Sequence, residues 1–504
     1  MDGFSNIAAG LSVALSLQGL AYCFAGVVMG TFVGVLPGVG VMATIAILMP
    51  ITFHLDPVFA LIMLAGIYYG AAYGGSTASI LLNLPGTANT AITCLDGYPM
   101  ARQGRAGVAL FITAVASFVG SILGLIILAF ASPLLAQVAM NFGSPEYFSL
   151  MVLGLLSAAS LASGSMLKAL GSIALGLLLG IVGTDVSTGV QRFTFGLPEL
   201  YGGLPLVAIS LGLFGLPEVI ANAGRIHASE RRVQDVTLRS MLPTREDVRR
   251  SWPAMLRGTG IGAFFGALPG TGSLIASFVS YTVEKRVHRT PAIFGTGAIE
   301  GIAGPEAANN AATQTAFIPT LTLGVPGDAI MALMLGALLI HGIAPGPNMI
   351  NDRPDLFWGL VISFLIGNIM LLILNIPLIG IWVRILRIPY GILFPCIVVF
   401  ICLGVYSVNY AVEDLFIVLG FGIVGYVMMH IGLETAPLIL GLVLGPLLEE
   451  NFRRSLMISR GNLVIFLDRP LTASFLVLSL AVVGWSIVKA LAARRRLAGE
   501  GASR

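Results

Sequence analysis

Apolar runs of about 18 residues or more recur along most of this chain, separated by short polar breaks, and each is long enough to cross a bilayer as a helix. Candidate spans lie near 16–36, 57–82, 106–130, 146–163, 165–183, 203–221, 254–268, 307–324, 327–343, 357–383, 390–410, 413–430, 433–447 and 470–492. The runs are too long for strands and do not alternate with a period of two, so the pattern predicts helices rather than a barrel. Several runs are short or interrupted by Gly and Pro. The expectation is an all-α polytopic membrane protein with about 10–12 transmembrane helices plus re-entrant or broken helices.

Composition supports this reading. Of 504 residues, 57% are hydrophobic and 10% charged, and mean hydropathy is +0.94, far from a soluble globular domain. The N-terminus has no basic region and no cleavage site, so the first run reads as an uncleaved span. Cys23, Cys94, Cys396 and Cys402 lack metal-ligand spacing, and three fall in apolar runs, where they are expected as buried small hydrophobes.

The net charge of +3 matters less than its placement. Residues 1–100 contain no Lys or Arg, whereas 223–258 contain eight Arg. By the positive-inside rule that basic segment and the tail "KALAARRRLAGEGASR" are cytoplasmic. Arg102 and Arg105, the first bases of the chain, mark a further cytoplasmic turn. Glu449-Glu450 beside Arg453-Arg454 reads as a solvated loop, and Lys168 reads as a snorkelling side chain.

A membrane helix should avoid "GVLPGVG" at 34–40, because proline removes a backbone donor and glycine loosens the helix. Yet the motif returns: "FVGVLPGVG" at 32–40 is echoed by "FFGALPGTG" at 264–272. A second pair follows in the same order, Pro85-Gly86 and Pro326-Gly327, each preceded by small polar residues. Pro37 to Pro269 is 232 residues and Pro85 to Pro326 is 241. Two motifs at nearly one offset predict a duplicated chain with two inverted structural repeats. The domain reading is 1–222 first membrane repeat, 223–257 basic cytoplasmic linker, 258–468 second membrane repeat, and 469–504 an extra transmembrane helix with a basic cytoplasmic tail.

Broken helices survive in a membrane only where protein or a water-filled cavity surrounds them. Paired breaks in two repeats point to a transport site. Half-helix N-termini present free N–H groups and the positive end of a dipole, and glycines let an anion approach them. Carbonyls of the unwound turns, with small hydroxyl or amide side chains, can hold a cation. The polar residues near the breaks of the first half are Ser76, Thr77, Ser79, Asn83, Thr87, Asn89 and Thr90. Near those of the second half they are Thr271, Ser273, Glu306, Asn309, Asn310, Thr313, Gln314, Thr315 and Asp328. Asn309-Asn310 lies in an Ala-rich apolar stretch, where adjacent amides need partners, whether a ligand or neighbouring helices.

These residues, with "GGSTASILLNLPGTANTAITCLDGYPMARQGRAG" (74–107) and "GPEAANNAATQTAFIPTLTLGVPGDA" (304–329), make the chain resemble the large membrane subunit of tripartite tricarboxylate transporters over nearly its whole length. The resemblance implies a multi-pass permease of the bacterial cell inner membrane. It implies a small multi-span membrane subunit and a periplasmic solute-binding protein as partners, and import of carboxylates, citrate among them, driven by Na+ or H+ without a cofactor. Carried onto this chain, the family's Gly-rich site falls on Gly34, Pro37, Gly38, Gly40, Ser76, Thr77, Pro85 and Gly86, and on Pro269, Gly270, Gly272, Pro305, Glu306, Asn309, Asn310, Pro326 and Gly327. A Na+ at the same loops is the metal this would allow. Asp328 departs from the pattern, which has a small neutral residue there. An acid at that place could repel a carboxylate, join a cation site or pair with a base, and it counts against citrate itself. Glu306 and Asp328 are the candidates for ion coupling.

Other classes fit less well. An anion channel, the alternative, needs a continuous pore lined by polar or charged rings. No H-E-x-x-H or G-x-S-x-G motif marks an enzyme; "HIGLE" at 430–434 has the wrong spacing, and His341 and His430 stand alone. The Arg-rich segment also carries four acids and has a topological explanation, so no nucleic acid is expected as a partner.

Overall fold

The computed structural model describes residues 3–36, 40–162, 165–185, 188–223, 236–386 and 390–501. Pro37 and Gly38 of the first break, and 224–235 of the basic segment, lie outside the described residues. Among the described residues the chain is all-α apart from a two-residue antiparallel pairing, Gly183–Thr184 with Gln191–Arg192. Six helices among the described residues are long and apolar enough to cross a membrane: Leu17–Val35, Pro57–Leu82, Ala88–Ala139, Pro354–Asn375, Glu413–Ile431 and Pro470–Val488. Shorter apolar helices, Val41–His54, Met166–Gly180, Leu206–Gly215, Ala329–Ile340 and Pro395–Asn409, complete a polytopic membrane architecture.

The chain forms two compact units, each drawn from both halves of the sequence. The larger comprises Met1–Ala139 with Pro205–Val427, the smaller Met140–Leu204 with Met428–Arg504. Residues 245–257, assigned to the linker from sequence, form the first part of an unbroken helix, Arg245–Ala267.

In the larger unit, glycines set the helix packing. Gly26, Gly30 and Gly34 on Leu17–Val35 face Gly66, Gly70 and Gly74 on Pro57–Leu82, all at four-residue spacing. A Cβ on Gly70 would lie 2.5 Å from the Val27 carbonyl oxygen, and one on Gly34 would lie 2.5 Å from Ala71 Cα. Without a hydrophobic effect between helices in lipid, such close backbone contact is a main source of association. The second half repeats the device. Gly258, Gly262 and Gly266 on Arg245–Ala267 meet Gly304, Ala308 and Ala312 on Glu300–Thr315. Both glycine helices end in a break, and Gly40 and Gly272, the last residues of the two Leu-Pro-Gly-x-Gly motifs, have φ of 65° and 66°. The Pro-Gly breaks match as well. Asn83 (φ 56°) and Gly324 (φ 65°) are both left-handed caps two residues before the proline. Asn is among the few residues that tolerate this region.

In the smaller unit, Thr435–Ile458 packs on Met166–Gly180 through Gly441 and Gly176. The Glu449–Arg453 stretch belongs to the Thr435–Ile458 helix, not to a solvated loop. Asp185 accepts from Arg453 at 2.9 Å and pairs with Arg192 at 3.2 Å, while Glu449 binds both arginines, at 2.6 and 2.8 Å. Arg192 and Asp185 come from a turn more than two hundred residues earlier, which is why local charge density misread this segment. Lys168 Nζ donates to the Ile431 carbonyl at 2.5 Å, capping the C-terminal end of Glu413–Ile431. Of the cysteines, Cys23 is buried and Cys94 half-buried, but Cys396 and Cys402 are exposed, contrary to expectation. On a helix bordered by lipid, an apolar position need not face protein.

Candidate substrate and ion site

The site is built on Glu300–Thr315, which is buried on every side; indeed every residue from 300 to 327 is buried. Helical spacing places Glu306, Asn310 and Gln314 in one row, with Asn309 and Thr313 in the row beside it. This polar seam lies buried within the larger unit, and four flanking elements, Pro57–Leu82, Ala88–Thr90, Ala91–Met100 and Ala106–Ala139, supply its partners.

Glu306 sits at one end of the seam, 1% exposed. Its Oε1 accepts from Ser76 Oγ at 2.8 Å and from Thr93 Oγ1 at 2.5 Å; its Oε2 accepts from Ser117 Oγ at 3.4 Å. The hydroxyls come from three helices, Pro57–Leu82, Ala91–Met100 and Ala106–Ala139. Asn310 Nδ2 donates to the Glu306 carbonyl at 3.0 Å. Farther along, Tyr69 OH donates to Gln314 Oε1 at 3.2 Å, within an aromatic cluster of Tyr69, Phe317 and Phe364. Asn89, in the turn after the first Pro-Gly break, donates through Nδ2 to Ser273 Oγ at 2.6 Å and to Asn309 Oδ1 at 3.2 Å. Ser273 follows the second Leu-Pro-Gly-x-Gly motif. Breaks from the two halves therefore meet at Asn309.

Among the described residues, three polar atoms of the seam have no hydrogen-bond partner, Asn309 Nδ2, Asn310 Oδ1 and Gln314 Nε2; the buried hydroxyl of Tyr68 lies near Thr313, Ser273 and Asp328. A buried polar group left unpaired costs about 1–3 kcal/mol. Such a cluster in one place calls for a ligand, ion or water to complete it.

The other candidates divide between scaffold and seam. Gly86 packs against Gly34 and Gly75, with no room for a side chain: a Cβ would lie 2.5 Å from Gly75 Cα and 2.7 Å from the Gly34 carbonyl oxygen. In the second half, Gly327 lies against Gly266 and accepts from the Gly270 N–H at 2.7 Å. Thr271 donates to the carbonyls of Phe265 and Leu268, closing the end of the preceding helix. Gly40 accepts the Thr44 hydroxyl at 2.7 Å and caps the helix Val41–Leu48. Thr87 bonds with Thr90. Thr77 is buried but is not among the hydroxyls that reach Glu306, and Asn83 is an exposed cap. Asp328 has a role outside the three read from sequence: Oδ1 accepts the Met331 N–H at 2.8 Å, capping Ala329–Ile340.

Sequence reasoning missed Thr93, Ser117, Tyr68 and Tyr69, because a lone hydroxyl in an apolar helix carries no local signal. It also missed Asp96, which is fully buried. Its Oδ1 accepts from the N–H groups of Gly295, Gly297 and Ala298, each at 2.8 Å, and its Oδ2 from Tyr281 OH at 2.9 Å.

The sequence profile of the tripartite tricarboxylate transporter TctA family matches residues 20–440. Two curated relatives come from Agrobacterium vitis. An uncharacterized 52.8 kDa protein in the TAR-I ttuC' 3' region is 52% identical over 495 residues, covering 98% of each chain. An uncharacterized protein in the TAR-II ttuC' 3' region is 52% identical over 234 residues, 46% of this chain and 97% of that one. No solved structure matches the chain. Since the profile spans both glycine-helix pairs, both sets of breaks and the polar seam between them, this chain belongs to the tripartite tricarboxylate transporter TctA family.

Proposed function

We propose that this chain is the permease subunit of a binding-protein-dependent secondary transporter, importing a di- or tricarboxylate by alternating access with its site on the polar seam at the paired breaks. Family membership makes it a multi-pass transporter subunit that works with partner subunits. The finer reading adds a small membrane subunit, a periplasmic solute-binding protein, the bacterial inner membrane and a Na+ or H+ gradient. The observation that carries it is the pair of orphaned amide donors, Asn309 Nδ2 and Gln314 Nε2, at the junction of the two halves; the unpaired Asn310 Oδ1 beside them is an acceptor, suited to a hydroxyl or water and not to the carboxylate itself. Amide and hydroxyl donors can hold a carboxylate without a full positive charge. No Lys or Arg of the described residues forms an ion pair with the seam.

The matched geometry supports inverted repeats as the basis of alternating access. Each half has a glycine helix followed by a Leu-Pro-Gly-x-Gly motif whose last glycine has a positive φ and starts the next helix, a small-residue helix packed on the glycine helix, and a Pro-Gly break returning to that helix end. Two halves that can exchange conformations would expose the seam to either side in turn.

The test is uptake into proteoliposomes holding the subunit with its small partner and binding protein. Labelled citrate and a panel of di- and monocarboxylates are offered under separate Na+ and H+ gradients. Saturable accumulation against a gradient, lost in Asn309→Ala/Asn310→Ala protein that remains monodisperse, is expected. Non-saturating flux that only equilibrates would mark a channel, and uptake indifferent to the double variant would refute the site.

A further inference from the structure

We propose that Glu306 is the proton carrier of this transporter: one proton binds its carboxylate together with each substrate and leaves with it on the cytoplasmic side. The inference rests on the transport reading above and chooses the coupling ion for it.

The first argument is the environment. A wholly buried carboxylate usually has a cationic partner, because an isolated buried charge is very costly. Among the described residues, Glu306 has none; its partners are the neutral hydroxyls of Ser76, Thr93 and Ser117. The titratable groups facing it are Tyr73, which donates to Asn368 at 3.2 Å, and Cys94, neither of them basic. Asp96, on the same helix as Thr93, is engaged with backbone amides and Tyr281.

The second is that the hydroxyl cage satisfies both protonation states. With Glu306 ionised, three hydroxyls donate to it. With Glu306 protonated, Oε2–H can donate to Ser117 Oγ, since a hydroxyl oxygen accepts as readily as it donates. The same cage suits a metal ion poorly. A hard cation is held by about six oxygens converging on one point, whereas here Ser76 and Thr93 bond the carboxylate itself at 2.8 and 2.5 Å.

The third is coupling. Glu306 lies one helical turn from Asn310 and on the same row as Gln314, where the substrate carboxylate is proposed to bind. Two negative charges so close in a buried site disfavour each other. Substrate binding therefore raises the proton affinity of Glu306, and protonation raises substrate affinity by the same factor, as linkage requires. A carrier that crosses only when both or neither are bound is a proton–carboxylate symporter. Asp328 is less suited, since one of its oxygens is already used as a helix cap.

The experiment uses the complete transporter in proteoliposomes, with the labelled carboxylate it accumulates best, under an imposed pH gradient without Na+ and then under a Na+ gradient at equal pH. Unsubstituted protein should accumulate substrate under the pH gradient and alkalinise the external medium as it does so. Glu306→Gln should lose about tenfold or more of that accumulation, and its residual exchange should be flat in pH, whereas Glu306→Asp should keep a pH-dependent response with a moved midpoint. Ser117→Ala, which removes a donor to the ionised form, should move the midpoint of pH dependence to higher pH, a readout that survives if the Gln variant does not fold. Accumulation by the unsubstituted protein under Na+ alone with no pH response overturns the proton assignment and leaves the transport reading standing. pH-driven accumulation that persists in Glu306→Gln also overturns it. No uptake under any gradient removes both readings.

Discussion

Replacing Asp96 by alanine should damage this protein more than any single change to an exposed charge. Asp96 fastens the 295–298 turn to the Ala91–Met100 helix through three N–H groups and also binds the Tyr281 hydroxyl of the helix Gly272–Val287, all within 2.9 Å. Not all four donors suffer equally when it is removed. Gly295 is exposed and Gly297 half-buried, so water can take the place of the carboxylate at both. Ala298 and Tyr281 are buried, at 2% and 8% exposure, and have no such recourse. At about 1.5–3 kcal/mol for each hydrogen bond to a charged group, the two stranded donors give a loss of roughly 3–6 kcal/mol. Asp96→Asn keeps one carbonyl oxygen for the amides and should lose about 1–2 kcal/mol. The assay is the temperature at which detergent-purified protein loses its monodisperse peak, paired with protease accessibility of 288–299. The order wild type, Asn, Ala is expected, with the turn cleaved readily only in the Ala protein. An Ala variant as heat-resistant and protease-resistant as the wild type would refute the reasoning.

Further outcomes follow from the same contacts. Gly262→Leu should prevent the close approach of Arg245–Ala267 to Glu300–Thr315, since even a Cβ would lie 2.7 Å from Ala308 Cα. Gly260→Ala, with nothing within 4 Å, should be silent in the same thermal assay. Asp328→Ala should cost about 1 kcal/mol through loss of the helix cap, and Asp328→Ser, which restores a capping oxygen, only a few tenths. At the charged start of Arg245–Ala267, a helix that is not among the six long apolar ones, burial pushes the Asp247 carboxyl up, but bonds from Arg105 and from the Thr244 N–H and hydroxyl outweigh it and hold it below its usual range. A lowered folded-state value means the stabilisation is present above the ordinary aspartate value of about 4 and is lost as pH falls through the lowered one. Acid titration of Asp247→Asn should show a smaller loss of stability over that window than the wild type.

Much of this arrangement was legible in the sequence because it repeats there. The Leu-Pro-Gly-x-Gly and Pro-Gly echoes located all four breaks, and Asn309-Asn310 stood out as amides in an apolar stretch. The finer correspondence was hidden by chemistry that differs in letters but not in backbone. Asn83 and Gly324 share a left-handed conformation, and Thr87 and Asp328 share a place just after Pro-Gly. Asp328 was therefore read for its charge when its oxygen serves as a cap. The partners of Asp96 lie 185 to 202 residues further along, and those of Glu306 189 to 230 residues before it, beyond any local pattern. The Glu449–Arg453 pair was misread for the same reason, since its other two members are at 185 and 192. Exposure of Cys396 and Cys402 was not readable because apolar runs look alike whether they face lipid or protein.

The central claim is that the unpaired amides of the seam receive the substrate. The most direct measurement is equilibrium binding of labelled carboxylates to the purified subunit, comparing wild type with Asn309→Ala and Gln314→Ala proteins of equal monodispersity. Each lost amide donor to a carboxylate should weaken binding by about tenfold, the equivalent of roughly 1.5 kcal/mol. Binding left intact by both substitutions would contradict the account.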